Sequence, residues 1–312
     1  MVLFQAPILT NGATHSAQQF RMLVRDLSRG AEGITNGTDL KVSPLPTPGA
    51  GVQIGDGSGI VVGKNNTFQG SYSVCNVGAA TLGIAPGGAS ARWDLVALRI
   101  LDPEYAGSAN PATDPIMFFD VFPDVGPTAT DIPPGYTAIP LARIQIPPST
   151  STITAGLITD VRKVANPRRE RATYVESPAT PSAEISGSSG TYSYFSTAAG
   201  WNIAVPSWAS KAIIRCDVGG LRYSTANFNG FFGATFGASL NVQQTILDDN
   251  GGAGVRRSTA LAADTLILPD SYRGTTQLLR MRAAGGSGNT GKVSVDTSST
   301  LVAEVEFLDA PR

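Results

Sequence analysis

The chain has 312 residues and a mass of 32.3 kDa, with 23 Lys+Arg, 24 Asp+Glu, one His and two Cys; at roughly 150 residues per domain this length predicts two domains. Only 15% of residues are charged, while 35 are Gly and 21 are Pro; such punctuation suits many short strands joined by turns and excludes helical bundles, coiled coils and disorder. A net charge of −1 excludes nucleic acid as the main partner, because phosphate neutralisation needs a basic surplus, and no stretch approaches the ~20 apolar residues of a membrane span.

In chain order, the start MVLFQAPILTNG lacks a basic segment and an apolar run of export-signal length, so a soluble chain with no export signal is expected. Ser16-Ala17-Gln18-Gln19 matches a capping box, and Phe20, Leu23, Val24 and Leu27 follow at helical spacing. The spacing predicts one helix that packs this apolar stripe on a sheet and stops at Gly30 and Gly33. Strands are expected over 51–63 and 70–77, and over 94–101 and 116–122, the latter two apolar on both faces and therefore central. Residues 139–146 alternate like a strand; 154–164 read as strand or short helix.

Polar, proline-bearing residues 166–185 read as a linker between a β-rich domain over 1–165 and a second domain over 186–312. In the second domain strands are expected over 212–218, 233–242, 265–268, 276–282, 293–296 and 300–308. Short strands at even spacing predict an antiparallel β-sandwich, jelly-roll-like. The fold class is thus mainly β, with one N-terminal helix. Cys75 and Cys216 stand in strand contexts without a CxxC partner, and free thiols are expected in preference to a disulfide between the two domains.

Most motifs with catalytic spacing fail on context. Gly286–Lys292 satisfies GxxxxGK, but Val293 stands where a P-loop needs a hydroxyl, and KVSVDTSST alternates like a strand rather than opening a helix. His15 is the sole histidine, and GxSxG is absent; a packing or capping role is expected of it. Metal sites built on several His or Cys ligands are excluded by count, and no cofactor is expected. Asp248 and Asp249 precede Asn-Gly-Gly and read first as a turn, the alternative being a hydrolytic carboxylate pair drawn from Asp248, Asp249, Asp264, Asp270 and Asp296 of the second domain. Arg162, Lys163, Arg168, Arg169 and Arg171 form a basic run with Asp160 and Glu170 interspersed, read as a solvated or interface-forming linker.

The stretch Tyr223–Phe236, YSTANFNGFFGATF, carries the candidate binding residues. Tyr223, Phe228 and Phe231 alternate with Asn227 and Asn229, the mixture of aromatic faces and amides that binds sugars; Asp248 and Asp249 add carboxylates for hydroxyls. The competing reading places these aromatics, like Trp201 and Trp208, in the core or between subunits.

Several segments resemble minor tail proteins of siphophages that infect actinobacteria, notably Streptomyces-type hosts: THSAQQFRMLVRDLSRGAEGI at 14–34, GSYSVCNVG at 70–78, RWDLVALRILDPEYAG at 92–107, AIPLARIQIP at 138–147 and ITDVRKVANPRRER at 158–171. VPSWASKAIIRCDVGGL at 205–221 and STLVAEVEFLDAP at 299–311 continue it more weakly. The resemblance implies a virion protein of the tail tip or baseplate, assembled in the host cytoplasm. Its first domain would attach to other tail proteins, and its second would face a host-surface carbohydrate. It also implies a homotrimer and no reaction chemistry; the alternatives are a tail-associated glycan depolymerase, a purely structural scaffold, and a cellular lectin.

Overall fold

The computed structural model describes residues 10–196 and 200–312. The chain is mainly β, with antiparallel sheets and one short α-helix near the N-terminus. It divides into two compact units, Met1–Pro167 together with Ala310–Arg312, and Arg168–Asp309.

The helix α1 spans Ala17–Leu27 and is closed by the expected box: the Ser16 hydroxyl accepts from the Gln19 amide at 3.2 Å, and Gln19 Oε1 accepts from the Ser16 amide at 2.8 Å. At the other end the Gly30 amide donates to the Arg25 carbonyl at 2.9 Å. The packing expected of the apolar stripe is corrected. Phe20 and Leu27 are 47% and 75% exposed, and the buried residue of the helix is Arg21. Its guanidinium is taken up by the Gln69 carbonyl at 2.9 Å, Glu104 at 2.6 Å, the Tyr105 hydroxyl at 3.0 Å and Asp102 at 3.3 Å. Leu23 and Val24 are half-buried, so the stripe is covered only in part, and the buried side chain of the helix is held by polar partners.

The first unit carries β1 (Gly33–Ile34), β2 (Val42–Pro44), β3 (Gly51–Ile54), β4 (Gly57–Val62), β5 (Ser71–Asn76), β6 (Ala80–Gly83), β7 (Arg92–Ile100), β8 (Met117–Val125), β9 (Ala138–Ile146) and β10 (Ile158–Asp160). They form sheets in the orders β1-β4-β5, β2-β3-β6 and β10-β9-β7-β8, around a core that includes Ile34, Val52, Ile54, Val61, Leu98, Leu141 and Ile144. The run 51–63 therefore feeds two sheets. Gly57, at φ +139° and pressed against Asp39, turns the chain between β3 and β4 in a conformation that side chains rarely adopt. The central position expected for 116–122 is corrected: β8 is an edge strand, and much of it is only half-buried. Over 154–164 both open readings occur in succession, a 3₁₀ turn at Ala155–Leu157 and then β10.

The second unit carries β11 (Arg169–Glu176), β12 (Ser193–Tyr194), β13 (Gly200–Ala204), β14 (Lys211–Ser224), β15 (Phe228–Phe236), β16 (Leu240–Asp249), β17 (Arg256–Ile267), β18 (Thr276–Gly285), β19 (Lys292–Ser294) and β20 (Thr300–Leu308). One sheet runs β11-β20-β14-β17, with β19 also on β14; the other runs β12-β18-β15-β16, with β13 also on β18. The pairs β11·β20, β12·β18, β14·β17 and β15·β16 nest one inside the next along the chain, the wrapping of a jelly roll. Alternate residues of both sheets, among them Ile214, Cys216, Val305, Phe232, Phe236 and Met281, fill the core between them.

Two expectations change here. Residues 169–176, assigned to a linker, are strand β11, paired along its whole length with β20. Residues 233–242, read as one strand, are the end of β15 and the start of β16, because Gly237 at φ +61° turns the chain beneath Tyr272. Cys75 and Cys216 are free, Cys75 exposed and Cys216 buried, and burial pushes the Cys216 thiol up to about 12.

Candidate functional site

The candidate binding residues of the second unit separate by strand parity. On β15 the even positions point inward, so Phe228, Phe232 and Phe236 are fully buried. Tyr223 on β14 is 3% exposed, its hydroxyl accepting from Ser258 at 3.1 Å, and burial raises its phenol. Tyr223 and Phe228 are therefore core residues, which corrects their assignment to a contact surface.

The odd positions of β15 face outward. There Asn229 lies opposite Asp248, and Phe231 opposite Ile246 of β16 and Ala284 of β18. Asn227 and Asp249 serve a turn: Asn227 Oδ1 accepts from the Gly252 amide at 2.7 Å, and Asp249 is ion-paired with Arg256. Asp248 and Asp249 thus sit at the end of β16, on opposite sides of it, and do not converge as a carboxylate pair.

Further along this outer face lies a constellation that the sequence reading did not single out. On β18 the inward residues are Leu279, Met281 and Ala283, which leaves Arg280 and Arg282 facing out. Each guanidinium stacks on a tyrosine from the β12 region: Arg280 on Tyr194 with 4.0 Å to the ring centroid, Arg282 on Tyr192 with 4.1 Å. Gln243 and Gln244 of β16 together oppose the single Gly233 of β15, a β-bulge. Gln244 accepts a hydrogen bond from the Tyr192 hydroxyl, Asn241 accepts from Arg282 at 2.8 Å, and Tyr194 and Thr235 share one at 3.3 Å. Burial pushes the Tyr192 phenol up against the opposing pull of Arg282, so it remains a donor at neutral pH.

The face therefore offers two aromatic rings, two amides, a hydroxyl and two cations on a rigid sheet. That combination suits a polyhydroxylated ligand, with rings under C–H groups and amides on hydroxyls. One signal was available in sequence, the alternation YSY at 192–194 against RMR at 280–282. Their meeting needs a strand pairing across some 90 residues that no local pattern announces.

The lysines of the first unit's cavity and the cations of the basic run are each ion-paired. In the first unit a cavity of about 430 Å³ is lined by Glu32, Lys64, Asp131, Tyr136 and Lys163, among others. Lys64 pairs with Glu32 at 2.9 Å and Lys163 with Asp131 at 2.7 Å. In the basic run, Arg162 is buried against Asp160 at 2.7 Å, Arg168 meets Asp309 at 3.0 Å, Arg169 Glu306 at 3.4 Å and Arg171 Glu304 at 2.8 Å. The run is a set of structural ion pairs rather than a linker. The Gly286–Lys292 segment leads into β19, not into a helix, and Asn289 organises it by donating to the Gly187 carbonyl at 2.7 Å. His15 makes an edge contact with Phe20 at 6.1 Å. Among the described residues no group of three His, Cys, Asp or Glu is placed to hold a metal ion, and no helix is long and apolar enough to cross a membrane.

No protein-family model matches the chain, and no curated protein matches it in sequence. Among solved structures it is similar to the VP2 subviral particle of infectious bursal disease virus, at 13% identity over 90% of this chain and 79% of that one, with a TM-score of 0.24. It is likewise similar to the Gx strain of the same virus, at 14% identity over 90% and 80% with a TM-score of 0.23. The T=1 particles derived from that virus give 13% identity over 93% and 84% with a TM-score of 0.22. Superpositions this loose carry no functional inference.

Proposed function

We propose that the chain is a structural protein of a phage tail tip or baseplate, and that its second unit attaches the particle to a host-surface glycan. The observation that carries the attachment reading is the outer sheet face on which Tyr192 and Tyr194, stacked by Arg282 and Arg280, stand beside Asn241, Gln244 and Thr235. Jelly-roll sandwiches serve in viral shells and in lectins, a fold-level analogy that agrees with it. The segment resemblance to siphophage minor tail proteins supplies the virion setting. No observation favours a hydrolytic reading of Asp248 and Asp249, for the reasons of geometry given above.

Within this proposal the protein works as a homotrimer, and several copies turn weak saccharide contacts into firm attachment through avidity. The test is retention of the full chain on Streptomyces-type cells. Wild type is expected to bind, and Tyr192→Ala/Tyr194→Ala to lose most of it with an unchanged circular dichroism spectrum. Equal retention of both proteins overturns the assignment of this face, and no retention of either overturns the attachment reading in favour of a scaffold. Light scattering tests the trimer directly: a mass of three times the 32.3 kDa chain is expected.

A further inference from the structure

We infer that the Tyr–Arg face of the second unit selects an acidic saccharide polymer, one bearing a carboxylate or phosphodiester group on each repeat. This inference rests on the glycan reading above and deepens it.

It starts from how the unit treats its arginines. Arg168, Arg169, Arg171, Arg215, Arg222, Arg256, Arg257 and Arg273 each lie within ion-pair distance of a carboxylate. Arg280 and Arg282 do not. They stand two apart on β18, so both project from the same outer face, and each is only part-exposed.

Their donors are also underused. Arg282 gives one hydrogen bond, to Asn241 at 2.8 Å, and its Nε is buried without a partner among the described residues. Arg280 has its stacking contact on Tyr194 and no protein acceptor among the described residues. A ring face and a single amide replace only part of the hydration that such a part-buried guanidinium has lost, so it gains when an anion arrives. Its planar fork matches the two oxygens of a carboxylate or a phosphate.

Stacking on Tyr192 and Tyr194 holds both forks in place, so little side-chain entropy is lost on binding. Asp248 lies at the far end of β16 beyond Ile246, and the Asp264 carboxylate of β17 accepts from the Gln243 and Thr265 amides at 3.0 and 2.7 Å. Among the described residues no carboxylate is within ion-pair distance of Arg280 or Arg282, which leaves both cations for an incoming anion. Two cations side by side suit a repeating polymer, with sugar rings on the tyrosines and successive anions on the arginines.

The experiment measures binding of the full chain to polygalacturonate, to its neutral methyl ester, and to poly(glycerol phosphate). An acidic polymer is expected to bind at least about tenfold more tightly than the ester, with affinity falling as salt rises. Arg280→Gln/Arg282→Gln is expected to abolish that preference while the melting temperature holds. Which acidic polymer binds tells carboxylate from phosphodiester recognition, and either supports the inference.

Equal binding of acid and ester overturns the inference and leaves the glycan reading standing; binding of none of the three overturns both. Tighter binding of a single-stranded oligonucleotide than of any polysaccharide overturns both in favour of nucleic acid. The acid-against-ester comparison on wild-type protein decides the matter even where the arginine variant fails to fold.

Discussion

Arg21 shows how one side chain redirects a whole helix. It is buried with Asp102, which also accepts from the Tyr72 hydroxyl at 2.7 Å and from the Glu104 amide at 2.9 Å. Burial pushes the Tyr72 phenol well up, so it stays a neutral donor to that carboxylate. Removing the guanidinium leaves Asp102 buried without its counter-ion. Arg21→Ala is therefore expected to lower stability by about 3 kcal/mol, read from the urea midpoint. Glu184 makes a complementary case in the second unit. Lys292 first, then Arg222 and Ser224, hydrogen-bond its carboxylate and hold it at about 2. A carboxylate depressed on folding stabilises the native state at pH above its ordinary value, and that contribution is lost as pH falls toward 2. Wild type should accordingly melt above Glu184→Gln at pH 6, and the two curves should converge as pH is lowered from about 4.5 to about 2. A constant gap across that range would refute the assignment.

At the scale of elements, α1 separates capping from packing. The box at Ser16 and Gln19 was legible because it is local in sequence, and Ser16→Ala should cost about 1 kcal/mol. The stripe Phe20, Leu23, Val24, Leu27 has the right period, yet period reports only that four apolar side chains share a face. Which face is covered depended on residues 69 and 102–105, whose carbonyl, carboxylates and hydroxyl claimed Arg21. Leu27→Ser is consequently expected to shift stability by less than about 0.5 kcal/mol in chemical denaturation, as befits a side chain that is 75% exposed. The same limit explains β8: an apolar run such as IMFFDVF marks a strand but not its place in the sheet, and among the described residues no strand pairs its outer side.

At the scale of the molecule, each unit has a hydrophobic core of its own, with Leu141 fully buried in one and Phe236 fully buried in the other. Leu141→Ala and Phe236→Ala should each cost about 2–5 kcal/mol. Calorimetry should show them lowering different transitions, since each core answers to its own unit. Both variants depressing a single common transition would show that the cores unfold together.

Composition and local pattern determined that this protein is mainly β, with a capped helix and a jelly-roll-like second part, because glycine and proline punctuation, period-two alternation and capping chemistry act between residues close in the chain. The same locality showed that GSGNTGK opens no helix. What only the tertiary structure decided is which faces meet. Burial of Tyr223 and Phe228, the conversion of residues 169–176 from linker to strand, and the gathering of Tyr192, Tyr194, Arg280 and Arg282 all follow from pairings between distant strands. Those pairings are fixed by the joint filling of one core, a property of the whole fold that no stretch of the chain carries by itself.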